Sequence, residues 1–259
     1  MNDPGIRFES FGVSHPGRVR QLNEDRFLMA PRSGLWLVAD GMGGHDAGDV
    51  ASSCIVAHMA TLGVASSAPD LRARFEDRIG RANAEIRDIA EKRGATIGAT
   101  MAALLTFERQ FACLWIGDSR VYLIRDGRIT QLSHDHTEVQ ELLDRGVITA
   151  AEARVWPRRN VITRAVGVDE DVAVDMQLGH IEPGDVFVVG SDGLTAHASD
   201  FDILAAATDA QEPEAACKML LDTVLERGGT DNVTIVVIMC RDAAALAADV
   251  PRVGLRHGE

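Results

Sequence analysis

Four aspartates stand beside strongly apolar runs, mostly next to a glycine, in well-separated parts of the chain. Leu35–Ala39 reads as a buried strand that stops at Asp40, followed by Gly41 ("LWLVADG"). "CLWIGDS" puts Asp118 after another such run, and "VFVVGSDG" ends on Asp192 and Gly193. "GGTDNVTIVV" places Asp231 just ahead of a last strand. A lone aspartate at a strand end is commonly a turn residue whose side chain caps the local backbone. Four in one chain strain that reading. If they converge, two ionised carboxylates about 4 Å apart repel by roughly 4 kcal/mol at an effective dielectric near 20. The set then needs protons or cations. None of the four motifs contains a lysine, and the sole arginine is Arg120. All-oxygen donors, with no competing Cys/His set, suit a hard divalent ion such as Mg²⁺ or Mn²⁺. The glycines allow tight turns, and Gly41 can offer its carbonyl as a further ligand. "GRVRQLNEDRF" adds Arg20, Glu24 and Asp25. Acids there can join the cluster or orient waters on the ions. Arg20, planar and permanently charged, is a natural grip for a phosphate. The competing reading of this segment is a surface salt-bridge patch of little energetic weight.

The elements that must position these residues show in the apolar periodicity. Ala51, Ile55, Met59 and Leu62 mark one helical face, and Leu71, Phe75, Ile79, Ala82, Ile86 and Ile89 mark another. The second helix is expected to start at an Asp70 N-cap and end at Gly94. Four short runs follow closely, "IGATMAALLTF", "FACLWIG", "RVYLI" and "RITQL", with a turn signal at Arg125–Gly127. Such spacing predicts antiparallel hairpins. A polar stretch from Ser133 to about Arg159 holds a short helix, "TEVQELLDRG". "VAVDMQL" and "DVFVVG" resume strand character, "EPEAACKMLLDTVLERGG" is a helix stopped by Gly228 and Gly229, and "NVTIVVIM" is the last strand. The βαβα alternation of a parallel sheet is absent from the middle, so the pattern predicts an α+β sandwich of hairpin sheets covered by two or three long helices. It fits one domain over residues 5–241 and a flexible C-terminal tail over 242–259.

At 259 residues the chain can bury a sizeable core as one domain. The net charge of −13 argues against a nucleic-acid or anionic-membrane partner and fits a cation site. Cys54, Cys113, Cys217 and Cys240 form no CxxC pair and lie in apolar patterns, as small core residues of a reducing compartment do. Neither a signal core nor an apolar window of membrane-spanning length is visible, so a cytoplasmic protein is expected.

In order along the chain, R-x-x-N-E-D (Arg20–Asp25), D-G-M-G-G-H (Asp40–His45), G-x-T (Gly98–Thr100), G-D-S-R-x-Y (Gly117–Tyr122), S-D-G-L (Ser191–Leu194) and G-G-x-D-N-x-T (Gly228–Thr234) resemble the metal-dependent Ser/Thr protein phosphatases of type 2C in their compact bacterial form. The resemblance covers roughly residues 6 to 240, and six motifs in the correct order make it highly specific. It implies a four-layer αββα sandwich of two antiparallel sheets flanked by helices. It also implies a binuclear Mn²⁺ or Mg²⁺ centre in which Asp40 bridges both ions, the Gly41 carbonyl serves one, and Asp192 and Asp231 serve the other. Glu24 and Asp25 would hold metal waters, Asp118 a third, weaker ion shared with Asp192, and Arg20 the substrate phosphate. The implied chemistry is hydrolysis of phosphoserine and phosphothreonine by a metal-activated water, with no phospho-enzyme.

The sequence departs from the family pattern in the loop after Asp40. Eukaryotic relatives carry a histidine directly after the Asp-Gly pair, proposed as the general acid, whereas this chain has Met42; His45 is the candidate substitute, a metal-bound water or a backbone-capping histidine being the alternatives. Ala99 stands where threonine is usual. The polar stretch matches the family's flap, and its His134, Asp135, His136 and Trp156 could contact substrate or simply pack. The implied partners are phosphorylated proteins, among them a bacterial Ser/Thr kinase or a forkhead-associated protein, in a pathway such as type VI secretion; a monomer is expected. Two other readings stay open: an inactive metal-binding regulatory module on the same fold, and a phosphatase of non-protein phosphoesters.

Overall fold

The computed structural model describes residues 5–43 and 47–243. In chain order its elements are β1 (Ile6–His15), β2 (Asp25–Ala30), β3 (Leu35–Gly43), α1 (Gly48–Met59), α2 (Ala68–Arg93), β4 (Ile97–Phe107), β5 (Gln110–Ile116), β6 (Arg120–Arg125) and β7 (Arg128–Gln131). There follow α3 (Glu138–Asp144), α4 (Ala150–Arg154), β8 (Asp175–His180), β9 (Val186–Gly190), α5 (Asp192–Thr195), α6 (Asp200–Asp209), α7 (Pro213–Glu226) and β10 (Val233–Asp242). One five-stranded sheet has the order β1-β10-β9-β6-β7 and the other β2-β3-β4-β5-β8. Every neighbouring pair is antiparallel.

The apolar runs are nearly continuous because both faces of the central strands are covered. In β3, Trp36 and Val38 join Ala102, Leu104, Phe187, Val189, Val236 and Ile238 in the core between the sheets. The alternate residues Leu35, Leu37 and Ala39 pack outward with Ile55, Met59, Phe75 and Ile79 of α1 and α2. In β10, Ile235, Val237 and Met239 face Ala216, Leu220 and Val224 of α7. Side chains alternating at period two therefore serve two different cores, which gives four layers, α, β, β, α.

Several expectations shift in detail. β3 does not stop at Asp40: it continues to Gly43, because β4 goes on pairing with it as far as Ile97. The N-cap of α2 is Ser67, whose side chain accepts from the Asp70 N–H; Asp70 lies one turn in and accepts from the Ser66 N–H at 2.8 Å. Gly94 caps the other end in the left-handed region, φ 61°. Strand β8 begins at Asp175, since Val172 and Val174 pack against the outer core without joining a ladder. Strand β1 and helix α6 are additions to the expected elements. Asp242 pairs with Ile6 and so belongs to β10; the rest of the expected tail, from residue 244, lies outside the described residues. All four cysteines are free and buried.

Candidate metal centre

Asp25 opens β2 and lies directly across the ladder from Asp40 of β3, so their side chains share a face. Asp40 follows the Trp36–Val38 phase, the one that points between the sheets. From the other sheet come Ser191 and Asp192, just past β9, and Asp231, two residues before β10. Asp25 spans the gap: its Oδ2 accepts from Ser191 Oγ at 2.8 Å, and the same Oγ accepts from the Thr234 N–H at 3.0 Å. Asp118 reaches the cluster from the turn after β5, where Gly117 adopts φ +97° and a Cβ would lie 2.6 Å from Thr100.

The acids therefore gather at one end of the cleft between the sheets. The Asp40 carboxyl stands within electrostatic reach of those of Asp25, Asp192, Asp118 and Asp231, a crowding of like charge that calls for protons or cations. Burial, reinforced by Asp25, Asp192, Asp118 and Asp231, pushes the Asp40 carboxyl well above its ordinary range. Burial, then Asp192 and Asp135, raises Asp118 to about 8. Asp25 rises to about 6, mainly through burial. Asp192 is also raised, by burial and then by Asp231. Arg20 offsets part of this: its guanidinium donates to Asp231 Oδ2 at 2.8 Å, with the side chain 55 % exposed. The motif arginine Arg120 is engaged elsewhere, in a bidentate pair with Asp135 at 2.6–2.8 Å.

These residues fit divalent cations on two observations. Asp25 Oδ1 is buried without a hydrogen-bond partner, a state costly for a carboxylate oxygen unless something positive lies beside it. The acids also act on one another: Asp40 feels Asp25, Asp192, Asp118 and Asp231 together. Among the described residues no three of them bring oxygens within 4.8 Å of one another, as a ready-made chelate for a single ion would. A set spread in this way suits more than one ion.

Glu24 is placed by main-chain ties. Its N–H donates to Asn232 Oδ1 (2.8 Å), its carbonyl accepts from Gly41 N–H (3.2 Å) and Ser52 Oγ (2.6 Å), and its Oε1 accepts from Gly48 N–H (3.0 Å) at the start of α1. It thus caps α1 while standing beside the cluster. Asn232 also donates to the carbonyls of Pro16 (3.1 Å) and Leu22 (2.8 Å), fastening the Arg20–Asp25 segment onto the Asp231 loop. Gly41 and Gly48 touch backbone to backbone: a Cβ on Gly41 would lie 2.0 Å from the Gly48 oxygen.

Sequence reasoning did not assign roles to Asn23, Ser52, Ser191, Asn232 and Thr234, although all but Ser52 fall inside the quoted motifs. Their signal was position beside an acid; their work is to hold backbone. In the polar stretch, His134 Nε2 meets Asp144 Oδ2 at 2.7 Å. His136 accepts from the Gly117 N–H (3.1 Å), approaches Asp175 (3.2 Å) and stacks on Trp115. With Asp135 held by Arg120, these groups pack and position. Trp156 is half-buried. His45 lies outside the described residues.

A sequence model of the family Protein phosphatase 2C matches residues 12–232. The serine/threonine protein phosphatase PstP of Mycobacterium tuberculosis is 38% identical over 226 residues, 86% of this chain; the match spans only 43% of that longer protein. Among solved structures, PppA, a key regulatory component of the type VI secretion system in Pseudomonas aeruginosa, superposes with a TM-score of 0.83 at 40% identity, covering 90% of this chain and 97% of that one. The catalytic domain of PstP in complex with two manganese ions gives 0.83 at 35% identity, covering 92% and 100%. With its acids, arginine and glycines in the family's order and brought to one end of the cleft, the chain belongs to the protein phosphatase 2C family.

Proposed function

We propose that the chain is a metal-dependent protein phosphatase that hydrolyses phosphoserine and phosphothreonine. The observation that carries this reading is the cluster of buried Asp25 and Asp118 with half-buried Asp40 and Asp192, all with raised pKa and one oxygen unpartnered, beside a solvent-accessible arginine. Asp40, the Gly41 carbonyl, Asp192 and Asp231 would hold two Mn²⁺ or Mg²⁺ ions, Asp118 with Asp192 a weaker third, and Glu24 and Asp25 would orient their waters. When bound, the ions supply positive charge against the phosphoryl oxygens and lower the pKa of a water toward neutrality.

The protein's own groups do the rest. Among the described residues, one of the five N–H groups of Arg20 is engaged, by Asp231, which fixes the guanidinium at the edge of the centre and leaves its fork free for two phosphoryl oxygens. Asn232 and Glu24 keep the segment carrying Arg20 in register with Asp231, so the anion is held where charge develops. His45 is the proposed donor of a proton to the leaving serine or threonine oxygen. The presence of every acid and of Arg20 favours activity over an inactive regulatory module. We extend the proposal to phosphorylated protein substrates that include a bacterial Ser/Thr kinase or a forkhead-associated protein, and to action as a cytoplasmic monomer. Among the described residues no helix is long and apolar enough to cross a membrane.

The test is hydrolysis of a phosphothreonine peptide with Mn²⁺. Turnover should vanish in EDTA and fall at least a hundredfold in Asp192→Ala, while Arg20→Ala should raise KM with little change in melting temperature. Equal turnover in chelator, or an Arg20→Ala variant with unchanged KM, would refute the assignment.

A further inference from the structure

A second set of metal-ligating side chains lies on the helical layer, outside the acidic centre. Cys54 and His58 are four residues apart on α1 and so share one face; Glu85 projects from α2 across the seam. Their donor atoms, one sulfur, one nitrogen and one oxygen, all lie within 4.8 Å of one another, the one such group of three among the described residues. His58 Nε2 stands 2.8 Å from Glu85 Oε2. The surrounding seam is apolar, built from Ile55, Met59, Ile79 and Ala82. The nearby cations of α2 are otherwise engaged: Arg78 with Asp77 and Thr61, and Arg81 with Asp77.

We propose that Cys54, His58 and Glu85 form a separate binding site for one borderline-soft divalent ion of the zinc class, clamping α1 to α2. Sulfur, imidazole and carboxylate together are the donor set such an ion prefers, whereas the all-oxygen centre suits Mg²⁺ or Mn²⁺. Tetrahedral bonds of about 2.0–2.3 Å put donors roughly 3.3–3.8 Å apart. The observed spread therefore needs only small rotations of side chains whose helices are already fixed. Glu85 is 55 % exposed and His58 23 % exposed, which provides an entry path and leaves the fourth position to water. Burial, with the charge of Glu85, pushes the Cys54 thiol up to about 11, so without metal it is protonated. Binding converts the thiol to thiolate and releases that proton to solvent.

Cobalt(II) is the probe, because a thiolate–cobalt charge-transfer band in the near ultraviolet requires a sulfur ligand, which the acidic centre lacks. The full chain, saturated with Mn²⁺, is titrated with Co²⁺ and then with Zn²⁺. A saturable band at one equivalent, bleached by Zn²⁺, is expected. It should be absent in Cys54→Ser and need at least tenfold more Co²⁺ in His58→Ala and Glu85→Gln, with Mn²⁺-dependent turnover unchanged in all three. No band in folded wild type, or a band that survives in Cys54→Ser, would leave an ordinary His58–Glu85 contact and overturn the proposal. If Cys54→Ser does not fold, Glu85→Gln at its exposed position decides: an undiminished affinity overturns the site.

Discussion

Replacing Gly41 by alanine tests the coupling between the fold and the metal centre at one atom. The added Cβ would lie 2.0 Å from the Gly48 oxygen, 2.4 Å from the Gly48 carbonyl carbon and 2.8 Å from the Glu24 oxygen, where ordinary contact begins at 3.4 Å. Relief needs a movement of about 1.4 Å, the difference between 3.4 and 2.0 Å. All three atoms are main chain, so no rotamer can yield. Gly48 opens α1, which is held by Glu24 Oε1 at 3.0 Å and by Ser52 Oγ on the Glu24 carbonyl at 2.6 Å. Displacing α1 strains those bonds and lifts Ala51, Ile55 and Met59 from the sheet. Overpacking of about 1–3 kcal/mol, with a weakened charge-assisted bond of about 1.5 kcal/mol or more, gives a loss of about 3 kcal/mol. For a chain of this size that lowers Tm by roughly 6–12 °C. Because Glu24 and Gly41 adjoin Asp25 and Asp40 in the chain, Mn²⁺ should also bind at least tenfold more weakly. The assay is calorimetric melting of the metal-free protein followed by Mn²⁺ titration. Gly80→Ala, in the middle of α2 with nothing within 4 Å of its Cβ, is the control and should be neutral or stabilising by up to about 1 kcal/mol. A Gly41→Ala protein that melts within a degree of wild type and binds Mn²⁺ normally would refute the claim that this backbone contact sets the centre.

Two further outcomes follow from the same geometry. Asp25 and Asp118, raised from 3.8 to about 6 and about 8 by burial, keep their protons longer folded than unfolded; their stabilisation is complete below about pH 4 and lost as pH rises through those values. Metal-free Asp118→Asn, which lacks this titration, should therefore gain Tm on wild type as pH rises from 4 to 8, and a constant difference across that range would contradict the reading. Asn232→Ala removes the link among Glu24 N, Pro16 O and Leu22 O and should raise the Mn²⁺ needed for half-maximal turnover about tenfold, whereas an unchanged requirement would show that the Arg20 segment holds its place without it.

What was legible in the sequence follows from where apolar side chains lie. β3, β4 and β10 are buried on both faces, so their runs stand out; β1, an edge strand with one fully buried residue, Ile6, carries no such signal. Asp126 and Gly127, both at positive φ, made the β6–β7 turn readable. Helix α6 passed unnoticed because its buried residues, Ile203, Ala206 and Ala207, are few and mostly small. The acids were visible because a carboxylate interrupting an apolar run is chemically out of place. Their supports were not, since Ser191 and Asn232 act through hydrogen bonds to residues 166 and more than 200 positions away. The cap of α2 was misplaced for a local reason, Ser67 and Asp70 both being capping residue types one turn apart.

A centre that gathers buried Asp25 and Asp118 and half-buried Asp40 and Asp192 around one partly exposed arginine opposes folding in the absence of cations. Metal reverses that sign, because an ion that binds the folded chain alone stabilises it by RT ln(1 + [L]/Kd), about 2.7 kcal/mol at a hundredfold excess over Kd. The acids that make the site chemically able therefore also make folding and ion supply interdependent. The glycine contact between β3 and α1 and the Asn232 ties are then what hold carboxylates from two separate sheets together while their own charges push them apart.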